Sequence, residues 1–312
     1  MEQWHPDYQP RDWNVVDYQE FRLPGLDIPL RGPALDPLAV APGSFFTCIG
    51  AAQTYGCLYS RPFPIILSES LGMPALNLAV GGAGPGFYTQ YPVLIDAMNR
   101  SRFVILQAMS GRSEGNSRFA PEGYVEFVRE RSTGARMTSS EAWHRIVTED
   151  LANAEQYVAE SRASWVESSH KLIGMLKVPV IFFWFSRRGH DYQVDHPAIR
   201  EQLRKREAGE ITSFFVDGLV GDFPQLIDHG AAQSVAQAAA AYAECISARG
   251  MGQPIINRFT GKPCTNDEKD GGPEYKFFDY TKNVYYPSAE MHEDAATVLL
   301  PIVLNVLTRC HK

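Results

Sequence analysis

The sequence predicts an α/β domain built on a doubly wound, mainly parallel five-stranded sheet with helices on both faces. Two observations carry this prediction. Short runs of consecutive apolar, β-forming residues recur along the chain, and each leads into glycine or small polar residues and then into helical sequence. The runs are apolar at successive positions rather than alternate ones, as strands covered by helices on both faces require.

The elements follow in order. Residues 1–44 hold many prolines and no sustained periodicity, which predicts an irregular arm packed on the main domain. The α/β domain then spans 45–312, with helical insertions near 117–176 and 189–252. Strands are expected at 45–49, 75–80, 103–109, 180–185 and 254–257. Between the third and fourth, Thr138-Ser139-Ser140-Glu141 reads as a capping box that opens helical sequence reaching residue 176. The alanine-rich stretch 234–249 reads as another long helix. A final helix starts near Ala289 and places Ala295, Val298, Leu299, Ile302 and Val306 at helical spacing.

Composition narrows the function. A formal charge of −7 and a pI near 5.6 argue against general affinity for nucleic acid or anionic membranes, which needs a basic excess. Cys48, Cys57, Cys245, Cys264 and Cys310 form no CxxC pair, so reduced thiols and a cytoplasmic protein are expected. The polar, aromatic start lacks the features of a secretory signal. The apolar run 178–185 is too short to span a bilayer, and the run 295–306 is interrupted by Pro301.

In a doubly wound sheet, ligands bind beyond the carboxyl ends of the strands. That rule selects the loops 50–57, 81–88, 110–116, 186–191 and 285–292. They read Gly50-Ala51-Ala52-Gln53-Thr54-Tyr55-Gly56, Asn77-Leu78-Ala79-Val80-Gly81-Gly82, Ser110-Gly111-Arg112-Ser113-Glu114-Gly115-Asn116 and, before the last helix, Ala289-Glu290-Met291-His292. Taken in order, these segments resemble the blocks of the SGNH (GDSL-like) hydrolase superfamily, whose patterns are G-D-S-x-T-x-G, N-x-G-x-x-G, G-x-N-D and D-x-x-H. The run G-A-A-Q-T-aromatic-G also resembles a motif of a group of bacterial proteins.

The resemblance implies the flavodoxin-like strand order 2-1-3-4-5 and a site in which Gly50, Thr54 and His292 keep the family's letters, Gly82 supplies an oxyanion-hole amide, and Asn116 stands late in the third block for its asparagine. The chain departs from the pattern at two of three triad positions. Ala52 stands where the nucleophilic serine would be, and Ala289 where the aspartate would orient the histidine. A methyl group cannot attack an acyl carbon, so no serine-bound intermediate forms.

Each candidate has a plain structural counterpart. His292 is expected to act as a general base, its alternative being a helix-start histidine bonded to nearby backbone. Gln53 and Thr54 either contact a ligand or cap a helix. Arg112 and Arg187 follow sheet strands in an acidic protein, where guanidinium groups hold carboxylate or phosphate; Arg188 reads at least as well as solvated surface. Ser110 is a candidate displaced nucleophile. His190, Asp191, Asp195 and His196 have no zinc-site spacing and read as loop polarity, so no metal ligand is expected.

The leading expectation is an SGNH-like transferase that modifies a hydroxyl of a sugar or glycan acceptor, with His292 as base. No tightly bound cofactor is expected; an acyl thioester or another anionic donor would serve as co-substrate. Two alternatives stay open: a catalytically inactive module binding a glycan or anion in the same crevice, and an esterase using Ser110.

Overall fold

The computed structural model describes residues 7–191, 221–266 and 280–309. Its centre is a five-stranded parallel sheet of β1 (Phe46–Ile49), β2 (Ala75–Asn77), β3 (Val104–Gln107), β7 (Val180–Ser186) and β8 (Ala241–Ile246), ordered β2-β1-β3-β7-β8. In chain order this is the 2-1-3-4-5 arrangement. The strands are continuous apolar runs because alternate residues serve two separate cores. Val180, Phe182 and Trp184 point to one, and Ile181, Phe183 and Phe185 to the other.

A short helix α1 (Tyr8–Asp12) lies in the arm. After β1 come α2 (Ala52–Tyr55) and α3 (Phe63–Leu71), and after β2 come α4 (Pro85–Tyr88) and α5 (Pro92–Arg100). A meander of β4 (Phe119–Glu122), β5 (Phe127–Glu130) and β6 (Arg136–Thr138) follows β3. It leads into α6 (Ser139–Glu149) and α7 (Ala154–Met175), the Thr138 hydroxyl accepting from the Glu141 amide as the capping-box signature requires. Past β7 lies α8 (His229–Ala238), which feeds β8. A small ribbon of β9 (Gln253–Pro254) and β10 (Lys282–Asn283) precedes the last helix, α9 (Ala289–Arg309).

Helices α3 and α9 cover one face of the sheet. Residues of α4, α5, α7 and α8 fill the other. The arm packs on the loop after β1: Val16 and Tyr18 join Ala52, Tyr55, Cys57, Leu58, Ile255 and Tyr286 in one apolar cluster.

Three expectations require correction. Residues 234–249 are not one helix: α8 ends at Ala238, Ala239 turns extended, and β8 becomes the fifth strand. Alanine's helix preference hid a strand whose six residues pair in register with β7, from Ile181↔Ala241 to Ser186↔Ile246. The strand expected at 254–257 shrinks to Gln253–Pro254 on the ribbon, where proline's missing N–H is tolerated at an edge. The helical stretch to residue 176 is two helices separated by a 3-10 turn, Leu151–Asn153, and the region before it is the meander. Residues 192–220 of the expected 189–252 insertion lie outside the described residues.

Candidate functional site

The loop after β1 is fixed from beneath by β3. Gln107, fully buried, presents Oε1 to the Ala51 amide at 3.1 Å and to the Thr54 hydroxyl at 2.8 Å. Gly50 is required here, because a Cβ at this position would lie 2.4 Å from Gln107 Oε1 and 2.5 Å from Thr54 Oγ1. The Tyr88 hydroxyl accepts from the Gly50 amide and donates to the Gly50 carbonyl. Asn77 donates to the Thr54 carbonyl and accepts from the Ala79 amide. Thr54 is therefore committed to internal bonds. Gln53 is buried with its Oε1 unpartnered among the described residues.

Ala52 is 6% exposed and belongs to the cluster that receives the arm. The arm is held by a buried carboxylate. Asp12 accepts from Arg11 Nε and Nη2, each at 2.7 Å, from the Tyr18 hydroxyl at 2.5 Å and from the Tyr280 hydroxyl at 3.1 Å. Arg11 also donates to the Tyr286 hydroxyl and lies over the rings of Tyr8 and Tyr286. Tyr18 in turn accepts from the Leu58 amide. First block, arm and final block thus meet around one charge pair.

Arg112 lies within electrostatic reach of Tyr8, Tyr285 and Tyr286. Its guanidinium pairs with Glu126 on the meander, and its Nε is buried without a partner among the described residues. Burial opposes its charge, but Glu126, with Tyr285, Tyr8 and Tyr286, moves its pKa upward on balance. Gly82, at φ +73°, brings the glycine loop against the same carboxylate: a Cβ there would sit 3.2 Å from Glu126 Oε2. Ser110 is buried, its Oγ accepting from the Arg112 amide at 3.1 Å. Arg187 donates to the Val284 carbonyl and faces Asp222, which ties the end of β7 to the segment carrying Tyr285. Arg188 is no solvated surface residue; it donates to the carbonyls of Asp222, Gly189, Pro224 and Ile227.

Asn116 and His292 are differently placed. Asn116 Oδ1 accepts from the amides of Arg118 and Phe119, and its Nδ2 donates to Ser161 on α7. It borders an open pocket of about 420 Å³ shared with Tyr124, Arg131 and Glu160. His292 has no exposed surface. Its ring lies against Tyr59, Phe63 and Phe185, and its Nδ1 accepts the Phe63 amide at 3.3 Å. Burial, with a smaller contribution from Arg31, pushes its pKa down to about 3.

A second buried titratable group was not singled out from the sequence. Glu114 accepts from the Ser168 and Ser164 hydroxyls of α7, and burial pushes its pKa up to about 8. Nothing in the local letters marks it, since its partners come from a helix some fifty residues downstream. Tyr8, Arg11 and Asp12 were likewise missed, within a stretch whose only signal was proline and aromatic content.

Residues 7–120 match the family described as a domain of unknown function (DUF6473), a span joining the arm to the first three strands of the sheet. No curated protein matches the chain. Among solved structures, the chain is similar to a carbohydrate esterase family 2 enzyme plus carbohydrate binding domain from Corynascus thermopiles (Myceliophthora fergusii), with 13% identity, covering 89% of this chain and 69% of that one, TM-score 0.38. It is also similar to a family two carbohydrate esterase from Clostridium thermocellum in complex with cellohexaose, with 10% identity, covering 90% and 68%, TM-score 0.37. A catalytic mutant of an acetylxylan esterase from Geobacillus stearothermophilus gives 12% identity, covering 84% and 94%, TM-score 0.37.

Cys48, Cys57 and Cys245 are buried thiols. Among the described residues, no helix is long and apolar enough to cross a membrane.

Proposed function

We propose that this chain is a non-hydrolytic SGNH-like module that binds an anionic, hydroxyl-bearing small molecule, such as a sugar acid, at the strand-end crevice. The observation that carries this reading is the state of His292. A backbone amide can only donate, so Nδ1 must accept and the neutral ring carries its proton on Nε2. A general base of the serine-hydrolase type needs the opposite tautomer, with Nδ1–H held by a carboxylate and Nε2 open. Here the carboxylate position is Ala289, and a second proton on the ring is opposed by burial.

The transferase reading asks His292 to accept a proton from an acceptor hydroxyl, and the same bond and burial weigh against it. Arg112 supplies the case for an anion. Its Nε is a buried donor with no partner among the described residues, the guanidinium lies within electrostatic reach of the phenols of Tyr8, Tyr285 and Tyr286, and a carboxylate or phosphate would complete it. Gln53 Oε1, buried without a partner among the described residues, adds an acceptor for a ligand hydroxyl.

Calorimetry with glucuronate, galacturonate and sugar phosphates, against neutral glucose and xylose, tests the reading. Binding of at least one anionic sugar, weakened at least ~10-fold by Arg112→Gln, is expected from the loss of a charge-assisted bond. His292-dependent hydrolysis of acetylated sugars, or binding indifferent to Arg112, would overturn it.

A further inference from the structure

At the β8 edge of the sheet, three elements bring two imidazoles and a carboxylate together. His190 follows β7, His229 opens α8, and Glu244 lies on β8. The Nδ1 atoms of His190 and His229 are 2.7 Å apart, and His190 Nε2 lies 2.8 Å from Glu244 Oε2. Glu244 also accepts from the Tyr242 hydroxyl at 2.6 Å, and the rings of Trp184 and His190 meet edge-to-face with centroids 5.6 Å apart. His229 is exposed.

The bond to Glu244 places the His190 proton on Nε2 and leaves its Nδ1 as a lone pair aimed at His229. A straight N–H···N contact between two imidazoles would put the ring centres about 5 Å apart. They are 4.5 Å apart and tilted by 38°, so the rings are bent away from a straight N–H···N line. A metal ion about 2.0 Å from each nitrogen sets cis ligands about 2.8 Å apart at a right angle, and about 3.3 Å apart at the tetrahedral angle. The observed 2.7 Å matches the right angle.

We infer that His190 and His229 form a binding site for a divalent transition-metal ion that takes cis nitrogen ligands at right angles, Cu²⁺ or Ni²⁺, with Glu244 orienting His190 through its far nitrogen. Among the described residues, no group of three or more His, Cys, Asp or Glu side chains is arranged to hold a metal ion, so water completes the coordination. Asp195 and His196, which the sequence places near His190, lie outside the described residues. His229 binds through Nδ1 once its proton sits on Nε2, with no change in charge. The arrangement of carboxylate, imidazole and metal fixes the tautomer and raises the basicity of the ligand.

The test is titration of Cu²⁺ into untagged, chelator-treated full-length protein, followed by calorimetry and electron paramagnetic resonance. One ion per chain is expected at this site, with hyperfine structure from two imidazole nitrogens. His229→Ala and His190→Ala should each weaken binding at least ~10-fold and remove that two-nitrogen signature, and Glu244→Gln should weaken it about 10-fold. Circular dichroism melting verifies that each variant is folded; His229 is exposed, so its variant keeps the comparison valid if His190→Ala does not fold. Failure to bind Cu²⁺, or binding with an unchanged signal in His229→Ala, would overturn the inference.

Discussion

Phe63 and His292 are joined by a 3.3 Å hydrogen bond from a backbone amide to Nδ1, and this one bond decides which nitrogen of the imidazole carries its proton. The contact reaches from the start of α3 to the first turn of α9, the two helices that cover one face of the sheet.

Acid should therefore unfold the protein partly through His292. Its pKa is about 3 in the fold and about 6.5 in the unfolded chain. The unfolded state binds the extra proton first, so stability is intact above pH 6.5 and falls as pH drops toward 3, by on the order of a few kcal/mol. His292→Asn, whose amide oxygen can still accept from Phe63, should flatten that part of the curve. Urea melts at pH 7, 5.5 and 4.5 measure it, and an unchanged slope in the variant rejects the assignment.

Glu114 should act with the opposite sign. Its pKa is raised to about 8, so the fold favours the protonated acid. Stability is fully present below about pH 4.5 and is lost as pH rises through 8, again by on the order of a few kcal/mol. Glu114→Gln keeps a neutral group beside Ser164 and Ser168. The variant should melt at a higher temperature than wild type at pH 9 and close to it at pH 5.

Restoring the missing nucleophile should not restore hydrolysis. Ala52→Ser places a hydroxyl under the arm with no oriented base, so p-nitrophenyl acetate turnover should stay at the wild-type background and a fluorophosphonate probe should leave residue 52 unlabelled. Robust turnover that disappears on adding His292→Asn would contradict both expectations.

Gly50→Ala should destabilise the fold by on the order of 2–4 kcal/mol, because the added Cβ collides with Gln107 Oε1 and Thr54 Oγ1 in a packed interior. The denaturation midpoint in guanidinium reads this directly. Gly72→Ala offers a control at another glycine: its Cβ would meet nothing within 4 Å, so only its φ of +61° is strained, and a cost nearer 1 kcal/mol is expected.

The sheet was legible because its strands are buried on both faces and announce themselves as unbroken apolar runs. Four of five strands followed from those runs and the turn residues after them, and the order from the arrangement that flavodoxin-like doubly wound chains share. The fifth was not legible: Ala241, Ala243 and the alanines before them favour helix locally, and only pairing with β7 makes 241–246 a strand. At the site, spacing from strand ends indicated which loops matter but not how their side chains are spent. Thr54 and Asn116 are consumed by partners distant in sequence, Gln107 and Ser161, and His292 by a backbone amide that no motif encodes. The irregular arm gave no periodic signal for Asp12, whose meaning comes from its tertiary partners.

Asp12 and Tyr280, bonded across 268 residues of chain, also bear on how the molecule is made. A growing polypeptide can lay down the arm, β1 and β3 while Tyr280 and Tyr286 are still unsynthesised, and until they emerge Asp12 and Arg11 lack their distal partners. The bond between early and late residues therefore closes only once most of the polypeptide has been made, which puts this seam among the last contacts a nascent chain can complete.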